Sequence, residues 1–559
     1  MIKTLYKVST TVFLLLAITI AVLPFLDLRG LRMAGDEKVY ISTAIEMARN
    51  SNWFVQTLAD QPNYFKPPLH YLFSRVGMLV FGDRLIAGLW MNLALALAAG
   101  VAMHRLGRKR WGDKSGLLLG LATALNVGVF SHSFASQMEV ELFAFYTFAI
   151  VALGLGASKP PGSRPDFRYD VLFWISAGMA GWIKSPLHSV LIGVGGLFFW
   201  LLNAELLPRL KQPKSWLALF CGILTCIAAY VPILIFDYKN FYSTYILREQ
   251  FEKANNNRTW DYVITPLLHF LLPWTFLTLG AMARLLAMPM PKKRAALKKS
   301  VDLTMLKLGV GMALPTLLFW ATWTYKGQNY NLPTLSALLL FGWAAFNGNL
   351  PRWAFRSAGI LGLITFVLVA TLIAHFWPLP EWWSLGWAIL SVVMMLAFSA
   401  AFIFAEDVRV LATGAVAFFV AFGAMITPLG EREMLDVRHF LKENPNVTLH
   451  YYNLDPSIWS EWGLLQLTLH RPIYGLHKPH YLARAVKPGH AILVQNSAAL
   501  NMVMSYWRQH PTSHEPIVTP WARWLTKGKS HDGRSKWRTA WESRDLHQLE
   551  REFFIVHFP

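Results

Sequence analysis

The stretch VSTTVFLLLAITIAVLPFLDL, residues 8–28, carries a single ionisable side chain, Asp27. A hydrocarbon slab needs about 20 such residues for each crossing helix. Windows of this kind recur from Val8 to Pro428, and about thirteen crossings fit on that rule. The rest of the composition agrees: 54% of the 559 residues are apolar and 15% are charged, against roughly a quarter charged in soluble domains. The first window follows Lys3 and Lys7 and exceeds a signal-peptide core. No small-residue cleavage site follows it, so it reads as a retained anchor.

The expected fold class is therefore mainly α and polytopic, with a transmembrane domain over residues 1–428. Beyond Pro428 the apolar density falls, and alternating stretches such as Val447 to Tyr452 and Ala491 to Val494 predict a small α+β domain over residues 429–559. Cys221 and Cys226 lie in one apolar run on different helix faces and read as packing residues. A formal charge of +20 raises the question of nucleic acid. That reading requires a basic face on a soluble domain, whereas here much of the charge sits in short loops between apolar spans.

Those loops alternate. Lys and Arg concentrate in Arg105 to Lys114, Lys159 to Arg168, Arg209 to Lys214 and Lys292 to Lys299, which the positive-inside rule makes cytoplasmic. The expected location is a bacterial inner membrane, crossed many times, with a cytoplasmic N-terminus and the C-terminal domain in the periplasm. The outward loops are then Arg29 to His70, Ser131 to Val140, the turn at Lys184, Asp237 to Tyr262, and Tyr325 to Tyr330. Within the first, Glu37 to Arg49 gathers Tyr40, Ile41, Ala44, Ile45 and Ala48 on one face, a pattern that suits a helix lying in the membrane interface.

An ionisable group at the bilayer centre costs about 2.5–3.5 kcal/mol on insertion scales, so those that persist beside apolar spans raise a functional question. Asp36, Glu37, Lys66, Glu139, Glu141, Lys184, Arg248, Glu249 and Lys326 all gather on the outward side. Cations there suit a lipid-linked phosphate, and a carboxylate suits a base acting on an acceptor hydroxyl. Each has a plainer reading. Asp36 reads as a helix N-cap, Glu37 as a first-turn carboxylate, and Lys66 as a snorkelling side chain. One of Glu139 and Glu141 reads as solvating a turn, and Arg248 with Glu249 as a surface pair. Trp507, Trp521, Trp524, Trp537 and Trp541, interleaved with Arg and Lys, suit sugar stacking or, more commonly, ordinary packing.

As a set, the outward residues resemble a known family. Asp36-Glu37-Lys38-Val39-Tyr40, Asn52-Trp53 and Tyr64-Phe65-Lys66-Pro67-Pro68-Leu69 resemble the first outer loop of type C glycosyltransferases of the protein O-mannosyltransferase and lipid A aminoarabinose transferase group. Met138-Glu139-Val140-Glu141-Leu142, Ile183-Lys184-Ser185-Pro186, Tyr245 to Phe251 with Pro273-Trp274, and Lys326 to Tyr330 with Leu332-Pro333 follow in the family's order. The resemblance implies a cavity open to the outer side and a polyprenyl-phosphate-linked sugar as donor. The acceptor would be lipid A, another envelope glycan or a protein. It implies Asp36, with Glu139, as the catalytic carboxylates, and Lys66, Arg248 and Lys184 at the donor phosphate. Glu37, Tyr40, Tyr64, Glu249, Lys326 and Tyr330 would line the cavity.

The aminoarabinose branch has a metal-binding Glu and His where this chain has Phe65 and Gln250. Phe cannot coordinate and a Gln oxygen replaces imidazole poorly, so no cofactor and no tightly bound metal are expected. Single displacement from the carrier phosphate would invert the sugar carbon. The rival readings are a secondary transporter, which places its ionisable groups at the midplane of paired repeats, and a non-catalytic assembly protein for envelope polysaccharide.

Overall fold

The computed structural model describes residues 9–25, 36–58, 61–158, 166–251, 258–286, 300–380, 383–452, 462–476, 479–494, 497–524 and 535–559. Six helices are long and apolar enough to cross a membrane: Ile86–Trp111, Met138–Ala157, Leu303–Thr322, Arg352–His375, Leu385–Phe404 and Val408–Met425. Three bent pairs raise the number to nine, and Thr10–Phe25, Leu69–Phe81 and Pro186–Leu202 are shorter apolar helices. The protein is thus a multi-pass membrane protein, although these helices do not reach the expected thirteen among the described residues. Close approach is built on small residues: a Cβ on Gly120 would lie 2.8 Å from the Gly100 carbonyl oxygen, which lets the helices Ile86–Trp111 and Asp113–Ala124 pack backbone to backbone.

One bent pair, Asp113–Ala124 with Val127–Ser133, turns by 50°. A break inside an apolar bundle frees backbone groups that must find partners there. Asn126 supplies several: its Oδ1 accepts from Val129 N at 2.9 Å, and its Nδ2 donates to the Ala122 and Thr123 carbonyls at 3.0 and 3.1 Å. The sharper pair Asp261–Phe270 with Thr275–Leu286, bent by 117°, supplies the rest. Trp274 Nε1 donates to the Leu125 carbonyl at 2.8 Å, and the Leu272 carbonyl accepts from Val127 N at 3.0 Å.

After a short hairpin of β1 (Thr57–Leu58) and β2 (Gln61–Pro62), the C-terminal residues form a five-stranded sheet from β3 (Thr448–Tyr452), β4 (Ile473–Leu476), β5 (His490–Val494), β6 (Ile517–Trp524) and β7 (Glu550–Phe558), in the order β4-β3-β5-β7-β6. β3 runs parallel to β4 and β5, while β7 is antiparallel to β5 and β6. Its side chains alternate between two cores with period two. Leu449, Tyr451, Ala491, Leu493 and Ile555 face one, while Tyr452, Ile492, Val494 and Val556 face the other.

The first of those cores corrects the expectation for Glu37–Arg49. That helix is buried from Glu37 through Met47 and does not float in an interface. Val39, Tyr40 and Met47 enter the main bundle core, while Ile41 and Ile45 pack with Leu449, Leu465 and Leu467 beneath the sheet. An amphipathic pattern alone does not reveal the cover that the C-terminal residues provide. Polar bonds fix the same contact: Arg49 Nη2 donates to Gln466 Oε1 at 2.7 Å and to the Ile473 carbonyl at 2.9 Å, and Gln466 Nε2 donates to Asp83 Oδ1 at 3.0 Å. The last helix also runs further than expected. It continues from Val408 to Glu443, past residue 428, and delivers Val437 and Phe440 to the sheet.

Of the C-terminal tryptophans, Trp521 is fully buried and Trp507 donates to Thr512 at 3.1 Å. Trp541 stacks on His375 with ring centroids 3.9 Å apart. These three pack against the protein itself, while the side chains of Trp524 and Trp537 fall outside the described residues. Cys221 and Cys226 are free.

Across the sheet, His450 Nε2 lies 2.9 Å from His490 Nδ1. Burial first, then the charges of His490 and Lys487, hold His450 down to about 4, and His490 is lowered as well. A depressed folded value means that the unfolded chain binds more protons. The stabilisation is therefore complete above an unfolded value of about 6.5 and is lost as pH falls towards 4. Protection of β3 and β5 amides from hydrogen exchange, corrected for intrinsic rates, should drop across that window by on the order of 2 kcal/mol. The drop should shrink in His490→Asn, and flat protection in the wild type would contradict the assignment.

Candidate active site

The helix at Glu37 starts the site. Asp36 occupies its N-cap position, but the side chain makes no capping hydrogen bond. Its Oδ2 instead accepts from Tyr40 Oη at 3.4 Å, one turn along, and the residue is exposed. The N-cap reading therefore fails and leaves an accessible carboxylate with one phenol beside it. Glu37 is fully buried, and its Oε1 accepts from the backbone N of Ser136 at 2.7 Å. Besides favouring its own helix dipole, Glu37 ties the first loop to the second.

Glu139 and Glu141 open the helix Met138–Ala157. Two positions apart on a helix means about 200° around its axis, so they cannot share a partner. Glu139 Oε1 lies 2.8 Å from Lys184 Nζ, with both side chains 12% exposed. Glu141 Oε1 lies 2.7 Å from His70 Nδ1, both 1% exposed. Neither carboxylate solvates a turn, which corrects the plainer sequence reading. His70 continues the chain: its Nε2 is 3.2 Å from Ser136 Oγ, and Tyr40 packs edge-on against its ring at 5.2 Å. Asp36, Tyr40, His70, Glu141, Ser136 and Glu37 thus form one connected arrangement across three helix starts.

Lys184 joins a second group. Its ammonium stands 4.5 Å over the Tyr330 ring, a cation–π contact, and Tyr330 packs on Trp320 at 4.5 Å. Trp320 in turn lies 5.7 Å from His188. Lys66 is buried and, like Lys184, close enough to His188 to act on it electrostatically. Its burial rules out simple snorkelling to water. Lys326 is buried near this group, and its Nζ donates to the Trp323 carbonyl.

Tyr64 belongs elsewhere. It is fully buried with Ile233, Phe241 and Tyr245, and its hydroxyl donates to Asp237 Oδ2 at 2.7 Å. Burial first, then the Asp237 acceptor, push its phenol well above the usual range, so Tyr64 is a permanent donor that anchors the third loop. Arg248 and Glu249 lie on the π-wound segment Tyr242–Phe251, but their side chains, like that of Gln250, fall outside the described residues. Among the described residues no three His, Cys, Asp or Glu side chains gather in a metal-like cluster.

Sequence reasoning missed His70, Ser136, His188 and Asp237. The spacing of Glu139 and Glu141 carried a usable signal, since two buried carboxylates on opposite helix sides require two partners. Nothing in the sequence marked His70 as one of them.

No family model matches the chain, and no curated protein matches it. Solved structures do. ArnT from Cupriavidus metallidurans bound to undecaprenyl phosphate aligns over 98% of this chain and 97% of its own, with TM-score 0.65 and 16% identity. The apo state of the same protein aligns over the same shares with TM-score 0.63 and 16% identity. An oligosaccharyltransferase of Archaeoglobus fulgidus follows at TM-score 0.42 and 11% identity, over 92% of this chain and 70% of its own. The chain therefore has the fold of ArnT along nearly its whole length.

The Glu139–Lys184 pair is mutually compensating, and breaking one side leaves a buried charge unpaired, at about 3–5 kcal/mol. Glu139→Gln and Lys184→Met should each lower the unfolding temperature of the detergent-purified protein. The double variant should recover part of the loss, with a coupling on the order of 2 kcal/mol. Additive losses would mean that the two side chains do not depend on each other.

Proposed function

We propose that the protein is an integral membrane glycosyltransferase that moves a sugar from a polyprenyl-phosphate carrier to an acceptor hydroxyl or amine at the outward face. The observation that carries this reading is the uncapped, exposed Asp36 carboxylate at a helix start, held by Tyr40, beside the loops that bear Lys66 and Lys184. The fold shared with ArnT supports the reaction class. So does the undecaprenyl phosphate bound to ArnT, a polyprenyl phosphate of the chemistry expected here.

In the proposed reaction Asp36 takes the acceptor's proton as the acceptor oxygen or nitrogen forms its bond to the anomeric carbon. The glycosidic C–O bond breaks on the opposite side, its electrons pass to the phosphate oxygen, and the configuration inverts. The departing polyprenyl phosphate gains charge, so cations bind it more tightly in the transition state than in the ground state. Lys66 and Arg248 serve that role. The charge of Lys184 is already met by Glu139, which makes it a wall of the phosphate site that is held in place by Glu139 and Tyr330. Glu139 acts through Lys184, and Glu37, Glu249, Lys326 and the Tyr40–His70–Glu141 arrangement hold the cavity's shape.

The proposed topology places these loops and the C-terminal sheet outside a bacterial plasma membrane, with lipid A, another glycan or a protein as acceptor. Asp36→Asn retains shape and removes the base. With a purified polyprenyl-phosphate sugar as donor, sugar transfer by this variant should fall by about 10²–10⁴-fold with little change in donor binding. Near wild-type transfer in the variant would reject Asp36. A wild-type protein that binds donor and releases no sugar from any carrier would favour a non-catalytic assembly role.

A further inference from the structure

We infer that the opposite end of the bundle carries a binding site for the phosphate headgroup of an anionic phospholipid. The helix directions fix which end this is. Ile86–Trp111 starts beside the candidate active site, where Asn92 Nδ2 donates to the Ala135 and Gln137 carbonyls at 2.8 and 3.0 Å. Its 26 residues extend about 39 Å at 1.5 Å per residue. At its far end Arg110 forms a bidentate pair with Asp302, at 2.5 and 2.9 Å. Asp302 begins the helix that returns to Thr322, near Lys326 and Tyr330. Lys114 therefore sits a membrane's thickness from Asp36.

At that far end is a cavity of about 400 Å³ whose polar lining is Lys114, Ser115, Asn349, Arg352, Arg356 and the carboxylate Glu406. Arg352 Nη1 meets Glu406 Oε1 at 2.8 Å, with both side chains largely exposed, so the pair holds that guanidinium only weakly. Lys114 and Arg356 have no ion-pair partner among the described residues. Two unmatched cations that face one cavity form a donor set suited to phosphate oxygens.

The remaining walls select a lipid over a free phosphate. Phe355, Phe402, Phe404 and Leu411 line the same cavity, and Phe404 is 78% exposed. The helices that carry the three phenylalanines, Arg352–His375 and Leu385–Phe404, bury only 22% and 33% of their apolar windows. They form the outer, lipid-facing side of the bundle, so a phospholipid can slide in from the leaflet with its chains along the aromatics. The positive-inside rule accounts for basic residues at this end. It does not account for a cavity that joins them to an apolar wall. Basic pockets between membrane helices are established headgroup sites.

The test is native mass spectrometry of the full chain in detergent, titrated with phosphatidylglycerol, phosphatidylcholine or glycerol phosphate. The wild type should retain one phosphatidylglycerol in preference to phosphatidylcholine. The double variant Lys114→Gln/Arg356→Gln should weaken that binding by about tenfold or more, as expected for lost charge-assisted hydrogen bonds. Glycerol phosphate, which has the headgroup without acyl chains, should bind far more weakly than the lipid. Unchanged retention in the double variant, equal retention of phosphatidylcholine, or glycerol phosphate binding as tight as the lipid would each overturn the inference. If the double variant fails to fold, the single variants Lys114→Gln and Arg356→Gln, each of which should weaken the binding, decide it.

Discussion

Within hydrocarbon a backbone group freed from its helix has no water to turn to, and the candidate site depends on how this chain meets that constraint. The break between Ala124 and Val127 ends one helix and aims the next. Asn126, Trp274 and the Leu272 carbonyl take up the groups it exposes. The helix after the break ends at Ser133, three residues before Ser136, whose backbone N–H donates to Glu37. Broken helices cluster where a cavity must be lined by something other than an unbroken wall.

Charge follows the same logic one level up. Buried ions persist only when paired and hydrogen-bonded, and the site contains two such pairs that point to opposite sides of one helix. Glu139 holds Lys184, and Glu141 holds His70. By contrast, among the described residues Asp36 has one weak phenol contact and no ion-pair partner. A carboxylate that the fold supports closely but does not neutralise is suited to act on something that is not part of the protein.

Much of this was legible in the sequence, and the reasons differ by level. The membrane class follows from apolar windows, because hydrophobic length is a local property. The loops that carry chemistry could be read because charge in an apolar chain is conspicuous, and Glu139, Lys184 and Tyr330 do converge. The partners could not. His70, Ser136 and Asp237 have their roles only through contacts 66 or more residues away, and no local pattern encodes those. The same limit hid the fate of Glu37–Arg49. Its apolar face predicted correctly that it would be buried against something, and only the fold supplies the sheet that lies there.

The helix Val408–Glu443 connects these regions physically. Its 36 residues make a rod about 54 Å long at 1.5 Å per residue, and its first turns, Val408 and Leu411, line the far cavity. Its last turns carry Val437 and Phe440 into the core that also holds Ile41 and Ile45, a few residues along from Asp36. Such a rod acts as a lever: pivoted at its base, it moves its tip by about 1 Å for each degree of tilt, a consequence of its length alone. One helix thereby links the far cavity to the core beneath the sheet.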